Sequence, residues 1–204
     1  MKHVSSKYVT LVMSVFVVLA SGCAQVAHKV DVLYSPQATY RGGTGTLELA
    51  TADSAKGNKN TEPSMRWVVG HIKNDEGGVT GEIISPVRPQ DVVSDAFKQE
   101  LAAAGYKINF SKALDKQTGK GIVFTEISVT LEEVPSLVKL ESSCNILLKM
   151  DLWANGTVIN HTEYRSKVSD IAVKDRDQLS SDLYQKALQE VIQQAVPDII
   201  RQLH

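Results

Sequence analysis

Nucleophilic, acid–base or metal chemistry in this chain would have to come from a small set of side chains: Cys23 and Cys144, five histidines, and a few neighbouring serines and carboxylates. The histidines (His3, His28, His71, His161, His204) are scattered, and no two stand at the spacing of a metal-ligand pair. No metal site is expected. Ser142 and Ser143 lack a nucleophile-elbow pattern, so a triad with His161 and Asp151 would need an accident of folding. Glu132 and Glu133 are adjacent, and on a strand they point to opposite faces, which argues against a shared acid–base dyad. Arg41-Gly42-Gly43-Thr44-Gly45 is glycine-rich, but no Gly-Lys-Ser/Thr follows. It reads as a turn between two strands, not as a phosphate cradle. Cys144 lies in an alternating apolar run and reads as a buried small hydrophobe. No catalytic residue emerges, no cofactor is implied, and a non-enzymatic protein is expected. Cys23 remains.

Its setting is distinctive. Lys2 and Lys7 precede a run of about 12 apolar residues from Tyr8, too short for the ~20 of a membrane-spanning helix. Small residues follow, and together these are the parts of a secretory signal peptide over residues 1–22. The exit Ala20-Ser21-Gly22-Cys23 resembles the lipobox of bacterial lipoproteins, with Ala20 where that family most often has Leu. The resemblance implies a diacylglyceryl group on the Cys23 thiol, cleavage before it, and acylation of the new amine. Three acyl chains hold far more firmly than the marginal grip of one. Ala24, not Asp, follows the cysteine. By resemblance to enterobacterial sorting, that implies the outer membrane, with the chain facing the periplasm.

Cleavage would remove 22 of the 204 residues and two of the 22 Lys and Arg, leaving 20 against 23 Asp and Glu. The mature chain is long enough for one domain with a real core. It is mildly acidic and has no basic stripe, so nucleic acid is not an expected partner. With Cys23 lipidated, Cys144 has no cysteine to pair with.

The remaining pattern is mixed. Residues 23–40 read as a lipidated tether with a short strand at 30–34, and 41–204 as a single domain whose 51–64 segment is a polar, mobile loop. Strands are expected at 46–50, 66–73, 79–84, 106–110 and 122–134. In the last, Val123, Ile127, Val129 and Leu131 are set against Glu126, Ser128, Thr130 and Glu132. A helix over 91–104 carries Val93, Phe97 and Leu101 on one face, with Asp91 as its cap and Gly105 as its stop. A long hairpin, 142–154 and 158–169, turns at Asn155-Gly156. A two-residue turn would set Leu148 against Glu163 and Ile146 against Arg165, wasting the apolar face. A three-residue loop through Thr157 instead sets Leu148 against Tyr164, Cys144 against Val168, Lys149 against Glu163 and Asp151 against His161. The three-residue loop is therefore expected. A second helix spans 177–196, and Pro197 either kinks it or opens a last short helix at 198–203. The expected class is α+β: a mostly antiparallel sheet with two main helices on one face, a two-layer sandwich.

The stretch 92–106 (Val-Val-Ser-Asp-Ala-Phe-Lys-Gln-Glu-Leu-Ala-Ala-Ala-Gly-Tyr), the strand at 124–134 and the closing region 145–203 resemble the YajG-like lipoprotein family. That resemblance implies an outer-membrane lipoprotein facing the periplasm, an α+β domain and no established catalytic residues. A more distant likeness is to envelope lipoproteins that assist transport or cell-wall synthesis by binding other proteins. Two functions follow as expectations. One is a lipid-anchored accessory or scaffold acting on an envelope protein partner, with 51–64 and the hairpin carrying Trp67 and His71 as contact surface. The other is a small-ligand or glycan binder using a groove near Trp67, Trp153 and Tyr164.

Overall fold

The computed structural model describes residues 26–36, 40–51 and 66–204. Cys23 and nearly all of the 51–64 loop lie outside the described residues. In chain order the elements are β1 Val26–Lys29, β2 Thr46–Thr51, β3 Trp67–Lys73, β4 Val79–Ser85, α1 Pro89–Ala103, β5 Lys107–Phe110, β6 Lys120–Pro135, β7 Leu140–Ala154, β8 Thr157–Ala172 and α2 Arg176–Gln202. They form an α+β domain in which one sheet of eight strands carries both helices on one face.

The centre is β6. One edge pairs antiparallel with β7 along its whole length, Lys120 against Ala154 through Pro135 against Leu140. β7 in turn pairs antiparallel with β8. The opposite edge of β6 is shared: its first residues, 121–124, pair parallel with β2, and 131–133 pair parallel with β3. β5 extends the β2 side, while β4 and then β1 extend the β3 side. The long ladders are thus antiparallel and four short pairings are parallel.

β7 shows why the helices cover this face. Leu140, Ser142, Cys144, Ile146, Leu148, Met150 and Leu152 are all buried, an unbroken period of two. Above them lies the stripe Leu183, Ala187, Leu188, Val191, Ile192 and Ala195 of α2, all buried. From α1, Phe97 meets Phe124 edge to face, ring centres 5.3 Å apart.

Several expectations are corrected. The first strand is β1, not 30–34, so the chain from Val26 is part of the sheet and not free tether; Val30 is fully buried beside it. Residues 41–45 enter β2 against the end of α1, where Gly43 N donates to Ala104 O at 3.0 Å. α1 begins after Arg88 with Pro89 in its first turn, and Asp91 pairs with Arg88 instead of capping. Gly105 does stop the helix: its φ is +114°, and a Cβ there would sit 2.5 Å from Gly43 O. α2 runs unbroken through Pro197 because Val196, Ile199 and Leu203 stay fully packed on either side of it.

The hairpin between β7 and β8 has the expected register, including Cys144 against Val168, Leu148 against Tyr164, Lys149 against Glu163 and Asp151 against His161. The device differs from the expected loop. Ala154 pairs with Thr157, so the turn is Asn155-Gly156, both at positive φ (51° and 74°) as a tight primed turn requires. The additional residue is Ile159, a bulge between the pairs Leu152–Asn160 and Trp153–Val158. β6 has a bulge of its own between Phe124 and Glu126. It moves Val123 off the face it was expected to share with Ile127 and Leu131. Glu133, in step with Ile127 and Leu131, lies on that helix-facing side, nearly fully buried.

Candidate functional site

The two claims on β6's second edge leave a gap. β2 ends its pairing at Phe124 and β3 begins its own at Leu131, so among the described residues 125–130 pair with no strand on that side. Beside this stretch β3 peels away, and the space between is a slot of about 440 Å³. Trp67, His71 and Glu82 line one side and Ser128 and Thr130 the other, with Pro89 and Gln90 at the start of α1.

Local chemistry sets this shape. At Gly70 the backbones of β3 and β6 approach so closely that a Cβ would lie 2.0 Å from Leu131 O. The β3–β4 register slips at the same place, between Val68 and Gly70. β3 is therefore pinned to β6 on one side of Gly70 and diverges on the other. Trp67, at the divergent end, is half-buried, with the Arg88 guanidinium 6.0 Å from its ring centre. Arg88 is itself held by Asp91 through two hydrogen bonds of 2.7 Å. His71 is exposed and pairs with Glu82 across the strands.

Of the four residues singled out from sequence, Trp67 and His71 thus share the slot. Trp153 and Tyr164 do not line it. Trp153 is half-buried at the end of β7 opposite Gly121, and its buried Nε1 finds no hydrogen-bond partner among the described residues. Tyr164 is buried beneath α2 and donates to Asp198 at 3.3 Å. The single aromatic groove expected near all three rings is not formed.

A second polar group, missed in the sequence, lies under α2. Glu133 Oε1 accepts from Ser180 Oγ at 2.5 Å and pairs with His28 Nδ1 at 2.7 Å; Ser180 Oγ and Ser142 Oγ are 2.7 Å apart. These four side chains join β1, β6, β7 and α2. The Glu133 hydrogen bond raises the His28 pKa above its ordinary value, more than burial lowers it, with Asp177 adding to the rise. The sequence held a signal, since alternation from Ile127 and Leu131 turns Glu133 inward, but nothing local named the partners that β1, β7 and α2 bring to it. The order Ser142–Ser180–Glu133–His28 puts the carboxylate between hydroxyl and imidazole, so the imidazole is not placed to take a serine proton. The other combination weighed also fails: His161 pairs with Asp151 at 2.6 Å on the exposed face, while Ser142 is nine residues up the strand from Asp151 and buried.

Cys144 is fully buried and burial pushes its thiol up to about 12, which leaves it inert at neutral pH. Among the described residues there is no group of three His, Cys, Asp or Glu able to hold a metal, and no helix long and apolar enough to cross a membrane.

The molecule is thus a two-layer α+β domain whose sheet has a split edge with a groove beside it. No family model matches the sequence, and no curated protein is similar to it. Among solved structures, a Xanthomonas campestris protein assigned to DUF330 is 12% identical with a TM-score of 0.47, covering 86% of this chain and 95% of that one. A Helicobacter pylori protein described as a neuraminyllactose-binding hemagglutinin homolog is 12% identical with a TM-score of 0.45, covering 86% and 92%. A minor lipoprotein from Acinetobacter baumannii is 12% identical with a TM-score of 0.42, covering 77% and 91%. All three are distant likenesses of shape, below a TM-score of 0.5.

Proposed function

We propose that this is a lipid-anchored cell-envelope protein, held through Cys23 at the periplasmic face of the bacterial outer membrane, that works without catalysis by docking a partner protein. The signal peptide and the lipobox-like Ala20-Ser21-Gly22-Cys23 support the anchor. The observation that carries the docking is the stretch of β6 at 125–130, which among the described residues pairs with no strand on its second side, beside Trp67. Unpaired strand groups next to a side-chain slot are the two elements of strand addition: main-chain hydrogen bonds supply affinity and the slot reads alternate side chains. Trp67, half-exposed and stiffened by Arg88, is the anchor residue type such surfaces favour. The glycan reading loses two of its three rings, since Trp153 and Tyr164 are elsewhere.

A photo-crosslinking amino acid in place of Ser128, in the full-length lipidated protein in its own cells, tests this. One discrete envelope protein should be captured, and Trp67→Ala in the same chain should lower its yield at least severalfold. Absence of an adduct, or an adduct indifferent to Trp67, would show the edge to be unused.

A further inference from the structure

A different end of the molecule carries a second contact. One row of paired residues crosses the sheet from β1 to β8: Val26 beside Gly81, Gly81 beside Ile72, Ile72 beside Glu133, Glu133 beside Ser142, Ser142 beside Asp170. The chain enters the sheet at this row. Beyond it, on the side from which the chain arrives, stand Val79, Leu137, Val138, Ile171 and Val173, exposed by 58%, 102%, 67%, 55% and 62%. Leu137 and Val138 form the tip of the β6–β7 turn, a place where Gly, Asn, Asp and Ser are usual.

The turn is held by its own hydrogen bonds and by α2. Ser136 N donates to Lys139 O at 2.8 Å, Lys139 N to Ser136 Oγ at 3.1 Å, and Arg176 reaches from α2 to the carbonyls of Ser136 and Leu137 at 3.1 and 3.4 Å. Five main-chain groups of the turn are engaged in this way, while the two apolar side chains project outward. Nearby charges are mixed: Lys139 is paired with Glu141, and Asp75 and Glu76 occupy the neighbouring β3–β4 turn. Attraction to anionic lipid therefore does not account for the surface.

We infer that this end is a membrane-contact surface, and that Leu137 and Val138 enter the bilayer interface beside the lipid anchor. The inference rests on the lipidation of Cys23 proposed above. Two residues, Ala24 and Gln25, separate Cys23 from Val26, three Cα steps with a reach of roughly 10 Å at full extension. The turn projects roughly as far beyond the row, two strand residues plus a tight turn. Even a fully stretched linker thus leaves the tip level with the acylated residue. An isolated apolar pair adds little affinity alone, but beside a covalent anchor it fixes the orientation of the domain. The long axis of β6 then stands along the membrane normal, and the slot at 125–130 is held clear of the lipid.

The test uses the full-length lipidated protein in native membranes, spin-labelled at Leu137→Cys or, as the far-end control, at Gln117→Cys. Acylation blocks Cys23 and burial protects Cys144, so each variant carries one label. At 137 collisions with oxygen should exceed those with a neutral nickel chelate, and at 117 the ratio should reverse. Nickel access at 137 equal to that at 117 would mean an aqueous tip and overturn the inference. Low access to both reagents would mean a protein cover and overturn it equally. Failure of the anchor reading has its own signature: Cys23→Ser protein remaining in the membrane fraction without lipid label sinks the anchor and this inference together.

Discussion

The two edges of β6 make opposite bargains. On the β7 side fifteen positions pair in register, joined by a four-residue turn, and the same ladder continues into β8. On the other side two short strands far from β6 in sequence claim the ends, and among the described residues the middle pairs with no strand. Antiparallel neighbours close short loops and bury a continuous apolar face, whereas parallel partners must be brought in from afar for a few bonds each. The difference implies a division of labour: stability is concentrated in β6, β7, β8 and α2, and the split edge is the part that the proposed docking would use.

The largest expected effect breaks the stable side. Leu148 is fully buried between β6 and α2, facing Ile127 and Tyr164 across its two ladders. Leu148→Ala should destabilise the domain by about 2–5 kcal/mol, read as a lower urea midpoint with an unchanged slope. A loss comparable to that of an exposed residue would show the long hairpin not to be the core. The next effect falls at the junction of the two regions. Gly70→Ala would drive a methyl into Leu131 O, and β3 must shift away from β6. A cost of about 1–3 kcal/mol is expected, together with a changed yield of the Ser128 crosslink as the slot widens. Stability loss without any change in crosslinking would uncouple Gly70 from the slot.

The same contrast governs what could be read from the chain. The β7–β8 register was legible because one face had to be apolar and the other could pair Lys149 with Glu163 and Asp151 with His161. The bulge behind it was not, since Ile159 and Thr157 serve equally to shift a strand by one. α1 and its stop at Gly105 were legible from a 3.6-residue stripe and a glycine. The split edge was hidden for a physical reason: strands at 46–50 and 106–110 were legible, but parallel pairing leaves no turn in the sequence to say which strands are neighbours. Trp67 and His71 were found together because they share one hairpin strand. Trp153 and Tyr164 were grouped with them by residue type, and neither the register nor the burial supports it.

The smallest effect concerns a side-chain contact that fastens the N-terminal strand to the stable half. His28 pairs with Glu133 beneath α2, with Asp177 on the same helix also facing it and Ser180 bound to the other partner. The folded pKa of His28 lies above its unfolded value of about 6.5, so the protonated form is favoured by folding. Its contribution is therefore complete below that unfolded value and disappears as pH rises through the raised folded one. We expect wild-type stability to fall by about 1 kcal/mol, the size of a single hydrogen bond, on passing through that window. His28→Gln keeps a donor but cannot titrate, and its urea midpoint should not show that fall. Parallel pH profiles for the two proteins would mean that β1 is held by its backbone pairing with β4 and by Val30, with the imidazole along for the ride. A difference confined to the alkaline side of the window would place the fastening at Glu133, where a buried carboxylate keeps one serine but gives up its cation.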